Sequence, residues 1–396
     1  MSNTATIELV QEIMLEFARF TGLSPASVHP RRYLWTDAFA VCNYLELYAQ
    51  TNNKAHLDLA LQLVDQVHHL LGKHRGDDPR QGWISGLHAQ QGEEHPTVGG
   101  LRIGKQLNER KPNEPSDERL EWDQDGQYYH YLTKWMHALN CVSQATRDPP
   151  YIRWAIERAK TAHAKCTFAP PYGGRKRMHW KMSIDLSYPL VPSMGQHDPL
   201  DGFVTYCELQ AAAAKHRDGS SYPDLRHEIV DMARICQGLQ LPTDDTLGTG
   251  GLLYDAYRIA QLMAKRQIRN PSLLETVVHA ASMGIESFKI SGSLEYPAEY
   301  RLAFRELGLS IGLCAVERML TIIEENPNVF CQMSSLPQTV EGLREYMPLG
   351  ETIEMFWMNN KNRQASTWIE PVSYTHLRAH ETVLDLVCRL LLEKKN

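Results

Sequence analysis

The stretch Met194-Gly195-Gln196-His197-Asp198-Pro199-Leu200-Asp201-Gly202 sets an imidazole and two carboxylates close together, between His197 and Asp201. It closes an irregular segment, and a helical pattern starts near Phe203. Residues at a helix start are braced by the helix behind them and can still face a ligand. The helix N-terminus adds free N–H groups and partial positive charge. Asp-Pro and Asp-Gly are also ordinary turn and capping chemistry, so Asp201 by itself reads equally well as an N-cap. What weights the stretch is recurrence. Trp35-Thr36-Asp37, Trp122-Asp123-Gln124-Asp125-Gly126, Leu247-Gly248-Thr249-Gly250-Gly251 and the run Glu295 to Tyr300 also stand at the heads of helical patterns.

Working outward, helical periodicity predicts elements over residues 6–20, 35–50, 55–73, 127–145, 150–165, 203–215, 223–239, 251–267, 272–289 and 298–324. One or two short helices follow within 339–362. Two long connections, 75–125 and 167–199, interrupt the series. Loops of that length are functional or disordered, and Trp83, Ile84, Leu101, Ile103 and Trp122 give the first one something to pack with. No strand pattern persists, so the chain reads as all-α. Helices that pair in sequence suggest repeated αα-hairpins. If the hairpins stack in a ring, alternate connections emerge at one end, and the five special stretches share one mouth. The expected organisation is a single domain over 1–372. Beyond it, Tyr374-Thr375-His376-Leu377-Arg378-Ala379-His380-Glu381 resembles a translated adaptor tail found on unrelated metagenomic sequences, so 373–396 is set apart from the fold, and the expectation is a natural chain truncated near Val372.

Composition narrows the function classes. The 396 residues are 43% hydrophobic and 22% charged, as in a globular protein with a large core. A net charge of −6 gives no nucleic-acid surface. No apolar run reaches the ~18 residues of a spanning helix, and no secretory signal opens the chain. A cytoplasmic protein without a membrane partner is expected. The eight cysteines are scattered without a C-x-x-C pair and read as small buried hydrophobes in a reducing compartment. No metal-ligand spacing occurs, and no metal or cofactor is expected.

The candidate chemistry lies in carboxylates, histidines and aromatics at the helix heads. Asp37, Asp123, Asp125, Asp198, Asp201 and Glu295 all sit there, and a converging pair can divide acid and base roles. Each could instead merely cap its helix. Asp201 precedes Gly202 as Asp125 precedes Gly126, which makes these two the catalytic candidates; Asp198, ahead of Pro199, reads as a turn residue. His130, one turn into its helix, and His197 could form an acid–base pair near neutral pH, whereas His137 reads as core. Trp122, Tyr129, Trp180 and Tyr296 suit stacking on a sugar ring. Arg102 and Lys181 could meet an anionic group on a substrate.

The hairpins, with Trp122-Asp123-Gln124-Asp125-Gly126 and His197-Asp198-Pro199-Leu200-Asp201-Gly202 before helices, resemble the six-hairpin glycosidase-like superfamily, the (α/α)6 toroids, over roughly residues 5 to 362. Members such as unsaturated glucuronyl hydrolases use inner-helix aspartates, for which Asp125 and Asp201 are the matching positions. Related N-acylglucosamine 2-epimerases use inner-helix histidines, matched by His130 and His197. The resemblance implies a carbohydrate-active enzyme with a small carbohydrate or oligosaccharide as substrate. A glycoside hydrolase is the first expectation, a sugar epimerase or isomerase the second, and a non-catalytic glycan- or protein-binding toroid the third.

Overall fold

The computed structural model describes residues 3–215, 222–333, 335–365 and 368. The segment 373–396, set apart above, lies outside the described residues. The chain divides into two compact units, one from Ile7 to Leu239 and one from Gln240 onward together with the residues before Ile7. Both are mostly helical, as the periodicity implied.

The first unit takes α1 (Asn3–Thr21) from Ile7 on, then α2 (Leu34–Thr51) and α3 (Lys54–Leu71). Two short helices, α4 (Ala89–Glu94) and α5 (Glu118–Asp123), lie in the first long loop. The hairpin α6 (Tyr129–Thr146) and α7 (Pro149–Cys166) follows, then α8 (Asp198–Ala213) and α9 (Arg226–Cys236). Helices α2/α3, α6/α7 and α8/α9 pack as hairpins, and α6 also packs against both α2 and α8. The turns explain themselves. Asn52 and Arg147 adopt left-handed backbone conformations at the ends of α2 and α6, so each chain reverses within a few residues. Asn53 caps α3 by accepting from the Ala55 N–H, and Pro149-Pro150 opens α7. Leu34, Val41, Tyr44, Leu132, Trp135, Leu139, Val204 and Leu209 are buried along the packed faces.

The two long loops carry short strands that the periodicity did not predict. Strand β1 (Gln127–Tyr128) lies just before α6; β2 (Thr167–Phe168), β3 (Arg177–Met178), β4 (Lys181–Met182) and β5 (Pro189–Val191) lie between α7 and α8. Strand β4 pairs antiparallel with both β1 and β5, and β2 pairs with β3. These segments are too short for an alternating pattern to register. They nonetheless tie the first loop to the second.

Asp125 holds that junction. Its side chain is fully buried. One oxygen accepts from Arg102 Nη1 at 2.6 Å and Arg75 Nη1 at 3.3 Å, the other from the Gly104 and Gly126 N–H groups at 3.0 and 3.1 Å. Gly126 has φ +151°, and a Cβ there would fall 2.8 Å from the Met182 carbonyl oxygen, so no other residue fits between Asp125 and β1.

In the second unit, α10 (Thr246–Ala264) and α11 (Pro271–Ser291) form a hairpin. Two 3-10 turns lead to α12 (Ala303–Glu325), followed by α13 (Pro327–Phe330), α14 (Leu336–Leu343) and α15 (Met347–Met358). Helix α12 packs closely on α10 and also meets α15. The run Gly248 to Gly251 was expected as a connection, but it lies inside α10. A Cβ on Gly250 would come 2.0 Å from the Gly308 carbonyl oxygen, so its glycine serves the crossing of α10 and α12. Arg301 and Glu306 form a buried pair at 2.6 Å, and Glu306 also accepts from Trp357 Nε1 at 2.8 Å, joining α12 to α15.

Removing one partner of a buried ion pair leaves an uncompensated charge, which typically costs about 3–5 kcal/mol. Asp125→Ala is therefore expected to lower unfolding free energy by about that amount, read from urea unfolding followed by circular dichroism. A change below about 1 kcal/mol, the scale of exposed pairs, would contradict the anchoring role.

Candidate functional site

Helix α8 starts earlier than the periodicity suggested. Asp198, Pro199 and Asp201 belong to its first turns and His197 is its N-cap, with the Asp201 N–H donating to the His197 carbonyl at 3.0 Å. Pro199 fits there because the first helical N–H groups have no intrahelical partner. Asp198 and Asp201 are three apart, so they share a face, and that face meets α6.

Three positions of α6 receive it. Lys134 Nζ lies 2.9 Å from Asp201 Oδ1, and the Thr133 hydroxyl donates to Asp201 Oδ2. His130 Nδ1 lies 3.7 Å from Asp198 Oδ1. The second Asp198 oxygen is buried and has no hydrogen-bond partner among the described residues. Gly195 leaves room for it, since a Cβ there would stand 2.4 Å from Asp198 Oδ2. Burial pushes the Asp198 carboxyl up to about 7, the neighbouring Asp201 charge adds to the rise, and Lys134 opposes it. Burial pushes the His130 imidazole down to about 4, in the same direction as the Lys134 charge. Near neutral pH the cluster therefore holds a readily protonated carboxyl beside a neutral imidazole.

Aromatic rings line it. Tyr128 stacks on Trp180 with centroids 5.1 Å apart and planes within 10°. His130 stacks on Tyr128 at 5.4 Å, and Trp35 approaches His130 edge-on at 5.7 Å. Trp122 tilts against Trp180 at 5.6 Å and is 37% exposed, while Trp35 and Trp180 are half-buried. The strand pairing explains why rings so distant in sequence meet. Tyr128 is in β1, Trp180 immediately precedes β4, and the Tyr129 N–H donates to the Trp180 carbonyl at 2.9 Å.

The structure thus brings together Asp198, Asp201, His130, Trp180 and Trp122, with His197 at the cap. Other candidates have different surroundings. Asp125, expected as a catalytic carboxylate, is closed off by two arginines and two backbone N–H groups. Arg102, expected at a substrate anion, is spent on Asp125 and on the Leu70 and Lys73 carbonyls. Lys181 is buried, and its ammonium donates to the Glu121 and Gln124 carbonyls. Tyr129 is buried with its hydroxyl donating to Tyr206 at 2.9 Å. Asp37 is buried in the first turn of α2, accepting from the Tyr33 N–H at 2.9 Å, and burial pushes its carboxyl up to about 6 against the Arg32 charge. Asp123 is exposed at the end of α5. Glu295 and Tyr296 are exposed and belong to the second unit. Asp198, read as a turn residue, is a helical carboxyl facing His130.

Trp35 and Tyr128, aromatics at helix heads, join the cluster, and Thr133 and Lys134 complete it without having been chosen. Thr133 and Lys134 stand three and four residues beyond His130, the helical spacing that would have found them. Among the described residues, two groups could hold a metal ion: Cys42, His137 and Cys141, and His163, His227 and Asp231. In the second, the Lys176 ammonium already meets Asp231. Both draw ligands from two helices, and the i, i+4 pairs His137/Cys141 and His227/Asp231 mark only part of each set. No protein-family model matches the chain, and no curated protein matches it.

The Asp198 shift fixes a stability trend. A carboxyl whose pKa is higher in the folded than in the unfolded chain stabilises the fold below the unfolded value, near 3.8, and loses that contribution as pH rises through about 7. The melting temperature of Asp198→Asn relative to the parent should accordingly rise between about pH 4 and pH 8, as followed by differential scanning fluorimetry. A difference independent of pH would contradict the buried carboxyl.

Proposed function

We propose that this chain is a carbohydrate-active hydrolase built on the (α/α)6 toroid of the six-hairpin type. The observation that carries the reading is the Asp198 carboxyl, buried beside Asp201 and pushed up to about 7, at the edge of a partly exposed aromatic shelf. Successive helical hairpins support the scaffold.

Glycoside hydrolysis needs a proton donor for the leaving oxygen and negative charge for an oxocarbenium-like transition state. Asp198 serves as the donor, since a carboxyl that titrates near neutral pH is protonated often enough to act as acid. Asp201, positioned by Lys134 and Thr133, supplies the negative charge or directs water. The neutral His130 imidazole lies 3.7 Å from Asp198 and brings no positive charge that would lower its carboxyl. Trp180, Trp122 and Trp35 stack the apolar face of a sugar ring and exclude water beside the reacting bond. This assignment replaces Asp125 by Asp198 in the catalytic pair and keeps Asp201.

A second reading, a sugar epimerase, is favoured by the neutral His130 imidazole next to Asp198. There His130 abstracts a proton alpha to a carbonyl and His197 returns it on the other face. Solvent deuterium would then enter the product at that carbon, whereas hydrolysis leaves ring carbons unlabelled.

The test uses a panel of aryl glycosides and oligosaccharides. On whichever substrate the parent cleaves, Asp198→Asn and Asp201→Asn should each lower kcat by at least about 100-fold with the far-ultraviolet circular dichroism unchanged. Full activity in both variants would overturn the hydrolase reading. Saturable binding with the glycan left intact in the parent would favour the non-catalytic toroid.

A further inference from the structure

Two helical turns below the carboxyl cluster, the same three helices carry a second set of chemistry-bearing side chains. Cys42 stands seven residues after Trp35 on α2, His137 seven after His130 on α6, and Glu208 seven after Asp201 on α8. Seven residues are close to two turns, so each second member lies on the face of the first, about 10 Å along the helix. Cys141 follows His137 by four and shares its face.

The ligand atoms of Cys42, His137 and Cys141 all lie within 4.8 Å of one another. Cys141 Sγ stands 3.6 Å from His137 Nε2. A tetrahedral zinc ion, with Zn–S about 2.3 Å and Zn–N about 2.0–2.1 Å, sets its sulfur and nitrogen ligands about 3.6 Å apart. The other ring nitrogen, Nδ1, lies 3.5 Å from Glu208 Oε2. That is the relation of a metal-bound histidine to the carboxylate that orients it. The side chains of His137 and Glu208 are 26% and 16% exposed, so an ion can enter from solvent.

We propose that Cys42 Sγ, Cys141 Sγ and His137 Nε2 bind a thiophilic divalent cation, zinc by preference, with Glu208 as the outer carboxylate on His137 Nδ1. Two thiolates and one imidazole select zinc over magnesium or calcium, which take oxygen ligands. Three protein ligands leave the fourth tetrahedral position to water or another small ligand. The ion joins α2 to α6 directly and reaches α8 through Glu208. This assignment does not depend on the carbohydrate reading.

Cobalt(II) is the probe, added to full-length protein that has been reduced and freed of metal by chelation. The parent should take up a single cobalt ion with thiolate-to-cobalt charge-transfer absorption and the visible bands of tetrahedral cobalt, and zinc should abolish both. Cys42→Ser and Cys141→Ser should each weaken the charge-transfer band and the affinity by at least about 100-fold, since loss of an outer partner alone typically costs 10–100-fold. Glu208→Gln should keep the band and bind about 10–100-fold more weakly. Should a cysteine variant not fold, alkylation of the parent read by mass spectrometry decides: zinc should protect Cys42 and Cys141 together. No charge-transfer band in the folded parent, the same band in both cysteine variants, or equal alkylation with and without zinc would overturn the site.

Discussion

The burial of one carboxylate, Asp125, organises the first unit beyond its helices. A fully buried charge persists only when its lone pairs are met. Arg102, Arg75, Gly104 and Gly126 meet them from three separate parts of the first long loop. That requirement fixes where the loop ends, and so places β1 for pairing with β4. The pairing carries Trp180 onto Tyr128 and lets its carbonyl take the first N–H of α6. The aromatic shelf beside His130 is thus a downstream consequence of an ion pair that does not itself face it.

Asp125-Gly126 and Asp201-Gly202 are alike as dipeptides and differ in what their glycines do. Gly126 supplies a positive φ and a close approach to β4. Gly202 lies in a helix, where a Cβ would stand 2.2 Å from the Tyr129 hydroxyl. The first aspartate is therefore held by loop cations and N–H groups, and the second by side chains of a neighbouring helix. Sequence similarity between the two motifs suggested a shared role; their tertiary surroundings separate them. The same surroundings turn Asp198, read as a turn residue, into a helical carboxyl facing His130, and leave Asp201 beside it. The rise of the Asp198 carboxyl comes from burial and from the Asp201 charge, neither of which a dipeptide displays.

The helices were legible because apolar spacing records which face of each is covered. Helix starts were less so. Pro199 inside α8 and the glycines inside α10 look like loop residues, yet the first tolerates a helix N-terminus and Gly250 a helix crossing. Short strands escaped notice because two or three residues leave no period to read. Half of the site was visible as residue types at helix heads. Lys134 and Thr133 were not, because only the packing of α6 on α8 shows that an ordinary helical lysine and threonine face an aspartate.

Helix α6 is the element on which both clusters depend. It packs between α2 and α8, and its face presents His130, Thr133, Lys134, His137 and Cys141 within three turns. Each residue along an α-helix turns the side chain by about 100°. A shift of one residue in how α6 sits against its neighbours would carry His130 off Asp198 and His137 off Cys42 and Glu208 at once. Core packing resists such a shift, because Leu132, Trp135 and Leu139 on the covered side of α6 are fully buried and would have to leave their places together. Trp135 adds direction as well as volume, since its Nε1 donates to the buried His68 at 3.1 Å, and burial pushes that imidazole down to about 3, keeping it neutral as an acceptor. The apolar face and one internal hydrogen bond thereby set the register that the polar face needs, and both clusters inherit their geometry from it.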